Sequence, residues 1–229
     1  MSTLFAALGV STEFQKSLEA LKISVPTDIQ AKTIPVLLNK KEDVVALAKT
    51  GSGKTAAFGL PLLQLINVEE TNIQAVILVP TRELGQQIHT NLESFAANSP
   101  DISIKGICGG IPIKPQIEAL KNTTHIVVAT PGRLVDLIDR NAINLQHIKY
   151  FVLDEADEIV SALKEPLDEI IKEIPKRRRT LLFTATMSGK VKQLVQNYMS
   201  KHIIEIDAEM DTVGHKGIDH QYVVVKPIE

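Results

Sequence analysis

The residues best suited to chemistry form a short run of small side chains that ends in a lysine and a threonine. The run follows an apolar segment and reads Ala48-Lys49-Thr50-Gly51-Ser52-Gly53-Lys54-Thr55. Small residues allow backbone N–H groups to converge on phosphate oxygens at the start of a helix. In such a loop we expect Lys54 to contact the β- and γ-phosphates of a nucleotide and the Thr55 hydroxyl to bind Mg²⁺. The alternative interpretation is a glycine-rich turn between a strand and a helix.

An acidic pair ends a second apolar segment. Asp154 and Glu155 follow directly on residues 150–153. Where such a strand end lies beside a phosphate loop, the acidic residue holds Mg²⁺, so we expect Asp154 to do this. Glu155 is then placed to take a proton from an attacking water. Without the phosphate loop, the pair would be equally compatible with the acidic first turn of a helix, which the helix dipole favours.

Short apolar, β-branched segments alternate with helix-like ones along most of the chain. The predicted strands span residues 44–48, 75–79, 102–107, 125–129, 150–153, 180–184 and 202–206. Helical spacing of apolar residues is found at Leu167, Ile170, Ile171 and Ile174, and at Val191, Leu194, Val195 and Tyr198. Strands buried on both faces and joined by helices predict an α/β fold, a doubly wound and mostly parallel sheet with helices on both faces. Ligands of such sheets bind at the carboxyl ends of the strands.

The first thirty residues have a helical pattern. Thr12 and Gln15 fit a capping box, and Phe14, Leu18 and Leu21 then fall on one helical face. The stretch from residue 208 to residue 229 differs from the rest, with several charges and one strand-like run at 222–225. We interpret residues 1–207 as one domain and residues 208–229 as an exit segment.

Composition limits the function classes. The 229 residues are 44% hydrophobic, enough for one large packed domain. The formal net charge of -2 gives no general attraction to nucleic acid, so such binding would depend on local geometry. The longest apolar runs are strand-length, and we therefore expect no membrane partner. With Cys108 as the single cysteine, a disulfide framework is excluded, and we expect a reducing, cytoplasmic location.

The ordered motifs resemble the DEAD-box family of RNA helicases over nearly the whole chain. Asp154, Glu155, Ala156 and Asp157 spell the motif that gives the family its name. A segment similar to the family's Q motif, which reads adenine through its glutamine, is Pro26-Thr27-Asp28-Ile29-Gln30. Phe5 stands where the family has an isolated upstream aromatic residue. The resemblance therefore adds Phe5, Thr27 and Gln30 to the expected nucleotide-binding residues.

Further short motifs correspond to the family's RNA-backbone contacts. They comprise Pro80, Thr81, Arg82, Gly109, Gly110, Thr130, Pro131, Gly132 and Arg133. Because each motif follows a predicted strand, all of them belong at one edge of the sheet, where hydroxyls, amides and guanidinium groups can donate to phosphate oxygens. Considered alone, Gly109-Gly110 is typical of a loop. The motif at 130–133 alone is typical of a turn that starts a helix. Thr184, Ala185 and Thr186, together with Asp157, match the segments that couple ATP state to strand separation.

The sequence departs from the family pattern at several places. Lys22 and Ile23 stand where the family usually has glycine followed by an aromatic residue, which weakens one apolar wall of the adenine site. Gly85 replaces a common alanine, and Thr184 replaces serine but keeps the hydroxyl. None of these changes removes a predicted catalytic group, namely Lys54, Asp154 or Glu155.

The resemblance implies a RecA-like ATP-binding domain over residues 1–207, including the Q-motif region 1–30, with ATP and Mg²⁺ as cofactors. It implies a monomer that binds the RNA backbone, and an exit segment that leads to a second RecA-like domain. That domain supplies arginine fingers in the family, so this chain alone is expected to hydrolyse ATP poorly. Two rival functions are a non-catalytic RNA clamp and a P-loop motor that acts on DNA or protein. The catalytic residues disfavour the first, and the Gln30 and Asp154–Asp157 motifs disfavour the second.

Two other features are interpreted as structural. The basic run at 176–179 follows a proline and precedes a predicted strand, which favours a solvated turn over a nucleic-acid patch. Cys108 is predicted to be a small buried hydrophobic residue beside Gly109.

Overall fold

The computed structural model describes residues 4–208 of the chain. The strands are β1 (Asp43–Leu47), β2 (Ala75–Leu78), β3 (Ile104–Ile107), β4 (Ile126–Ala129), β5 (Tyr150–Leu153), β6 (Arg179–Thr184) and β7 (Ile203–Asp207). The helices are α1 (Leu4–Ala7), α2 (Thr12–Ala20), α3 (Asp28–Asn39), α4 (Lys54–Leu65), α5 (Arg82–Phe95), α6 (Ile113–Leu120), α7 (Pro131–Asp139), α8 (Ala156–Ala162), α9 (Lys164–Glu173) and α10 (Gly189–Tyr198). Apart from Ala208, the predicted exit segment and its run at 222–225 lie outside the described residues.

The strands form one sheet in the order β3-β4-β2-β5-β6-β1-β7. Every ladder between neighbouring strands is parallel. The predicted doubly wound α/β fold is confirmed, and each predicted strand is present with ends shifted by two residues or fewer. Since all strands run in the same direction, their carboxyl ends lie at one edge, which brings the predicted motifs together.

Apolar side chains cover both faces of the sheet. Val44 and Ala46 of β1 pack into a core with Phe58 of α4, whereas Val45 between them packs on the opposite face with Leu194 of α10. This alternation is the two-sided burial expected of a parallel sheet between helical layers. Within residues 4–208, no helix combines the length and the hydropathy that crossing a bilayer requires.

The start of α2 differs from the prediction. Its N-cap residue is Ser11, whose side chain makes no capping bond. The capping box proposed at Thr12 and Gln15 is therefore wrong, and the Gln15 side-chain amide instead donates to the Val10 carbonyl at 2.6 Å. The box spacing fits only Thr12, because Phe14 rather than Glu or Gln lies three residues after Ser11, so the spacing pointed one residue beyond the actual cap. The reciprocal contact lies at α3, where the Gln30 side chain accepts from the Thr27 N–H at 3.0 Å.

The end of α2 shows the structural cost of one departure from the family pattern. Lys22 adopts a left-handed backbone with φ of 60°. Its N–H donates to the Glu19 carbonyl at 3.0 Å, and the Ile23 N–H reaches back to Leu18 at 2.9 Å. This closure of a helix end favours glycine, and lysine pays about 1 kcal/mol for the left-handed conformation. Leu21, predicted to be on the buried face, is 42% exposed because the helix has already ended.

The basic run at 176–179 is only partly a solvated turn. Arg179 is buried at the start of β6, and its guanidinium donates to the Leu37 carbonyl at 2.6 Å, near the end of α3. The guanidinium of Arg178 lies 5.6 Å from the centre of the Phe151 ring. The two residues before them are exposed, as predicted. The turn interpretation is therefore wrong for Arg178 and Arg179, because both contact elements that are distant in the sequence.

Candidate functional site

A cavity of about 400 Å³ lies at the carboxyl edge of the sheet. Predicted site residues that line it are Gln30, Thr50, Gly51, Gly53, Lys54, Thr55, Asp154 and Glu155. A volume of several hundred cubic ångströms is typical of small-ligand sites. A larger cavity of about 830 Å³, beside β7 and α10, contains none of the predicted site residues. The smaller cavity is therefore the candidate site for the predicted chemistry.

The phosphate loop connects β1 to α4. Gly51 and Gly53 have φ of 81° and 94°, which glycine adopts without strain. A Cβ atom on Gly53 would lie 2.4 Å from the side-chain nitrogen of Gln30. Gly53 is also the N-cap of α4, and no side chain caps the first N–H groups of that helix. These donors point out of the helix at its positive end, as an anion site requires.

Lys54 is buried at the first position of α4. Its ammonium nitrogen has no hydrogen-bond partner within residues 4–208. The Asp154 carboxylate lies 3.6 Å away, at the distance of an ion pair rather than a hydrogen bond. A buried ammonium without hydrogen bonds is costly. Phosphate oxygens at the loop would supply the missing acceptors, which supports the nucleotide role predicted for Lys54.

Asp154 follows β5 and is 2% exposed. Burial raises the pKa of its carboxyl to about 6, and the negative charge of Glu155 acts in the same direction. The charge of Lys54 and a hydrogen bond from the Glu155 N–H, at 3.0 Å, lower the pKa but do not compensate. The chain therefore holds a carboxylate in a site that disfavours its charge, as is common where a cation binds.

Direct titration would test this environment. In nucleotide-free protein, the Asp154 carboxyl carbon is expected to titrate in NMR spectra near pH 6, rather than near the ordinary value of 3.8. Because the folded pKa exceeds the unfolded one, this group lowers the free energy of unfolding as pH rises between those values. Glu155→Gln is expected to lower the midpoint, since it removes a neighbouring negative charge. A midpoint near 3.8 in both proteins would contradict the burial described above.

Glu155 has an unusual backbone for a residue with a side chain. Its φ of 54° and ψ of 50° lie in the left-handed region, at the N-cap of α8. Its carboxylate accepts a hydrogen bond from the Thr50 hydroxyl at 3.1 Å. Strained backbone of this kind is concentrated at functional sites, where the surrounding structure maintains it. The acidic residue predicted to accept a proton is therefore held beside the phosphate loop.

The cavity also fits the predicted Mg²⁺ ligands. The Thr55 side chain and the Asp154 carboxylate both line it. Hydroxyl and carboxylate oxygens, completed by water and phosphate, are the ligands that Mg²⁺ prefers. The raised pKa of Asp154 indicates that its charge lacks sufficient compensation from the protein alone.

Gln30 connects the start of α3 to the phosphate loop. Besides its bond with Thr27, its side-chain nitrogen donates to the Gly53 carbonyl at 3.1 Å. A primary amide has a second N–H and a second lone pair, so capacity for a base remains. Ile23 lines the same cavity where the family has an aromatic ring. Adenine reading by Gln30 stays a prediction.

Some predicted nucleotide-binding residues are not brought to the cavity wall. Phe5 is 1% exposed and packs into the apolar core. Ala48 is buried, and its N–H donates to the Thr184 carbonyl at 3.0 Å. Thr27, Lys49 and Ser52 also do not line the cavity. Of this group, Phe5 has the least geometric support for contact with a nucleotide.

Sequence reasoning missed one wall of the cavity. Gln87, Asn91 and Ser94 of α5 also line it. Their spacing of four and then three residues places them on one helical face. That polar stripe was the available signal, but the sequence did not show which element it would face.

The predicted RNA motifs are joined by hydrogen bonds along the same edge. The Arg82 guanidinium donates to the Gly110 carbonyl at 3.3 Å. The Gly109 N–H donates to the Thr130 hydroxyl at 3.2 Å. Thr81 is the N-cap of α5, and its hydroxyl accepts from the backbone at 3.3 Å. The expectation that these motifs share one edge of the sheet is confirmed.

Arg133, predicted to belong to an RNA-backbone motif, is already hydrogen-bonded within the protein. Its side chain is 11% exposed, and it donates to the Ile111 carbonyl at 2.8 Å and to the Gln116 side chain at 3.0 Å. Pro131 is buried in the first turn of α7, whereas a Cβ on Gly132 would meet no neighbouring atom. The geometry favours Arg133 as a support for the loop that carries Gly109 and Gly110, and its RNA contact stays a prediction.

Gly85 is explained by its neighbour Cys108, which is buried as predicted. A Cβ on Gly85 would lie 2.7 Å from the Cys108 sulfur and 3.2 Å from a Val79 methyl group. Gly85→Ala is expected to lower the free energy of unfolding by about 1 kcal/mol, because overpacking outweighs the gain in helix propensity. In a Cys108→Gly background the same change is expected to be neutral or stabilising. Urea unfolding of the four proteins would measure the coupling, and equal effects in both backgrounds would contradict it.

The predicted coupling residues also meet. The Thr186 hydroxyl donates to the Asp157 carboxylate at 2.8 Å, which joins the end of β6 to α8. Thr184 is buried, and its hydroxyl donates to the Thr186 carbonyl at 2.9 Å, across the intervening Ala185. A change at the acidic motif can therefore reach the segment after β6 through direct contacts.

The parallel sheet, the phosphate loop and the acidic strand end define a RecA-like P-loop domain. A family model described as DEAD/DEAH box helicase matches residues 27–194. The chain belongs to this family.

Similar proteins share both sequence and fold with the chain. It is 40% identical over 213 residues to the DEAD-box ATP-dependent RNA helicase CshA of Geobacillus kaustophilus, covering 92% of this chain and 45% of that protein. It is 42% identical over 226 residues to the probable ATP-dependent RNA helicase MJ0669 of Methanocaldococcus jannaschii, covering 98% and 59%. The chain spans about half the length of the curated relatives it matches.

Two solved structures of similar proteins share the fold of this chain. A DEAD box protein from the hyperthermophile Methanococcus jannaschii superposes with a TM-score of 0.84 at 40% identity, covering 90% of this chain and 56% of that one. A variant of Dbp5 from S. cerevisiae bound to RNA and ADP–BeF3 superposes with a TM-score of 0.80 at 30% identity, covering 90% and 52%.

Proposed function

We propose that this chain is the ATP-binding domain of an ATP-dependent RNA helicase. The observation that carries the proposal is the buried ammonium of Lys54, which lacks a hydrogen-bond partner and lies 3.6 Å from the Asp154 carboxylate beneath the phosphate loop. A triphosphate at the loop would give this ammonium its acceptors. The relatives named as ATP-dependent RNA helicases support the same conclusion.

In the proposed site, phosphates lie against the loop and the first N–H groups of α4. Thr55 and Asp154 hold Mg²⁺, which neutralises charge on the phosphates when bound. Glu155 orients the attacking water and accepts its proton. Gln30 faces the base, and Ile23 provides a smaller apolar wall than an aromatic ring would.

RNA is proposed to lie along the edge formed by the motifs that follow β2, β3 and β4. Thr81, Arg82 and the amides at Gly109 and Gly110 suit phosphate oxygens, which carry no base information. The net charge of -2 adds no general attraction, so this domain alone binds RNA weakly. The Dbp5 variant whose structure resembles this chain was bound to RNA, which supports RNA as the ligand but does not bear on where it lies.

A second RecA-like domain is part of the proposal. Its closure over ATP and RNA would bring an arginine finger, a group worth about 10³ to 10⁵ in rate in related P-loop systems. This chain alone therefore hydrolyses ATP poorly. We further propose that the protein acts as a monomer in the cytoplasm, where the free, buried thiol of Cys108 is ordinary.

The test is the ATPase activity of the full-length protein with RNA, with DNA of the same sequence, and without nucleic acid. Stimulation by RNA alone is expected. Stimulation by DNA would favour the rival P-loop motor. Nucleotide binding without any turnover would favour the non-catalytic RNA clamp.

A further inference from the structure

The phosphate loop and the acidic strand end touch at two points. One is the Lys54–Asp154 pair, at 3.6 Å, which joins two groups that the proposed function already uses. The other is the hydrogen bond from the Thr50 hydroxyl to a Glu155 carboxylate oxygen, at 3.1 Å. Loop residues of this kind act mainly through backbone N–H groups. The side chain of Thr50 therefore has a contact that phosphate binding does not explain.

Glu155 has particular need of an anchor. Its left-handed backbone, with φ of 54°, places it at a turn between β5 and α8 rather than inside either element. Its N–H is fixed by the Asp154 carboxylate at 3.0 Å, but that bond does not orient its own side chain. A glutamate side chain has three rotatable bonds, and Thr50 restrains them from across the cavity.

We infer that Thr50 is a positioning residue for Glu155. This inference rests on the proposed function. In hydrolysis a water oxygen forms the bond to the γ-phosphorus, and the bond from that phosphorus to the β–γ bridging oxygen breaks, releasing ADP. The water proton passes to the Glu155 carboxylate. Thr50 keeps its own proton throughout and acts by holding the accepting carboxylate beside the loop.

The test compares Thr50→Val with Thr50→Ser in the full-length protein. Valine has nearly the same shape without the hydroxyl, and serine keeps the donor. Thr50→Val is expected to lower kcat about tenfold, the lower end for a lost hydrogen bond to a charged group, because the bond is partly exposed. ATP affinity is expected to change little, and serine is expected to restore most of the turnover. The matched control is Thr123→Val, an exposed position at the opposite edge of the sheet.

A double-mutant cycle separates positioning from a general effect on the loop. If Thr50 acts through Glu155, Thr50→Val is expected to slow a Glu155→Gln protein little further. Full additivity, an unchanged kcat in Thr50→Val, or a loss of ATP affinity without loss of kcat would each overturn this inference. None of these results would contradict the proposed function. A wild-type protein without RNA-stimulated turnover would overturn the proposed function, and this inference with it.

Discussion

The Glu155→Gln variant of the full-length protein is expected to turn over ATP about 10² to 10⁴ times more slowly than the wild type, the usual contribution of a general base. Glutamine keeps the shape of the side chain and can still accept the Thr50 hydrogen bond, so ATP and Mg²⁺ binding are expected to persist. Phosphate release at saturating RNA, measured beside nucleotide affinity, would separate the two effects.

The matched control for Glu155→Gln is Glu158→Gln. Glu158 is exposed and lies one turn further along α8. Glu158→Gln removes the same charge from a side chain that does not line the cavity, so normal turnover is expected. Asp154→Asn should differ from both variants by weakening the dependence of nucleotide binding on Mg²⁺. Wild-type turnover in Glu155→Gln would mean that another group accepts the proton.

The fold was predictable from the sequence because the parallel strands are buried on both faces. Segments such as β2 and β4 consist entirely of buried apolar residues, so their sequence differs sharply from the helices around them. Helix ends were less predictable. Ser11 and Thr12 are both of capping residue types, and the box spacing pointed to Thr12, one residue beyond the actual cap. Lys22 lies at the end of α2 in a left-handed conformation, which the sequence does not predict for a lysine.

The candidate site was predictable where its residues are contiguous. The turn of the phosphate loop could be predicted because Gly51 and Gly53 adopt positive φ without strain. Asp154 could be predicted because it directly follows an apolar strand. Contacts between distant segments were not predictable. The burial of Arg179 against the end of α3 and the support that Arg133 gives to the Gly109–Gly110 loop both depend on how elements pack. Hydrophobic periodicity describes one helix or strand at a time and does not predict contacts between distant elements.

The Lys54→Ala variant of this chain is expected to lose at least about 10²-fold in ATP affinity, the scale for removing one partner of a buried charged contact. Lys54→Met keeps the apolar stem and is expected to lose as much, which would assign the effect to the ammonium rather than to a cavity. The exposed Lys192 of α10 provides the control, and Lys192→Met is expected to bind ATP normally. Calorimetric titration with Mg²⁺–ATP would measure all three. Without the ammonium, the buried Asp154 carboxyl can take up a proton and become neutral, so the change is not expected to unfold the protein, and circular dichroism would verify this. Unchanged ATP affinity in a folded Lys54→Ala protein would show that the nucleotide lies elsewhere.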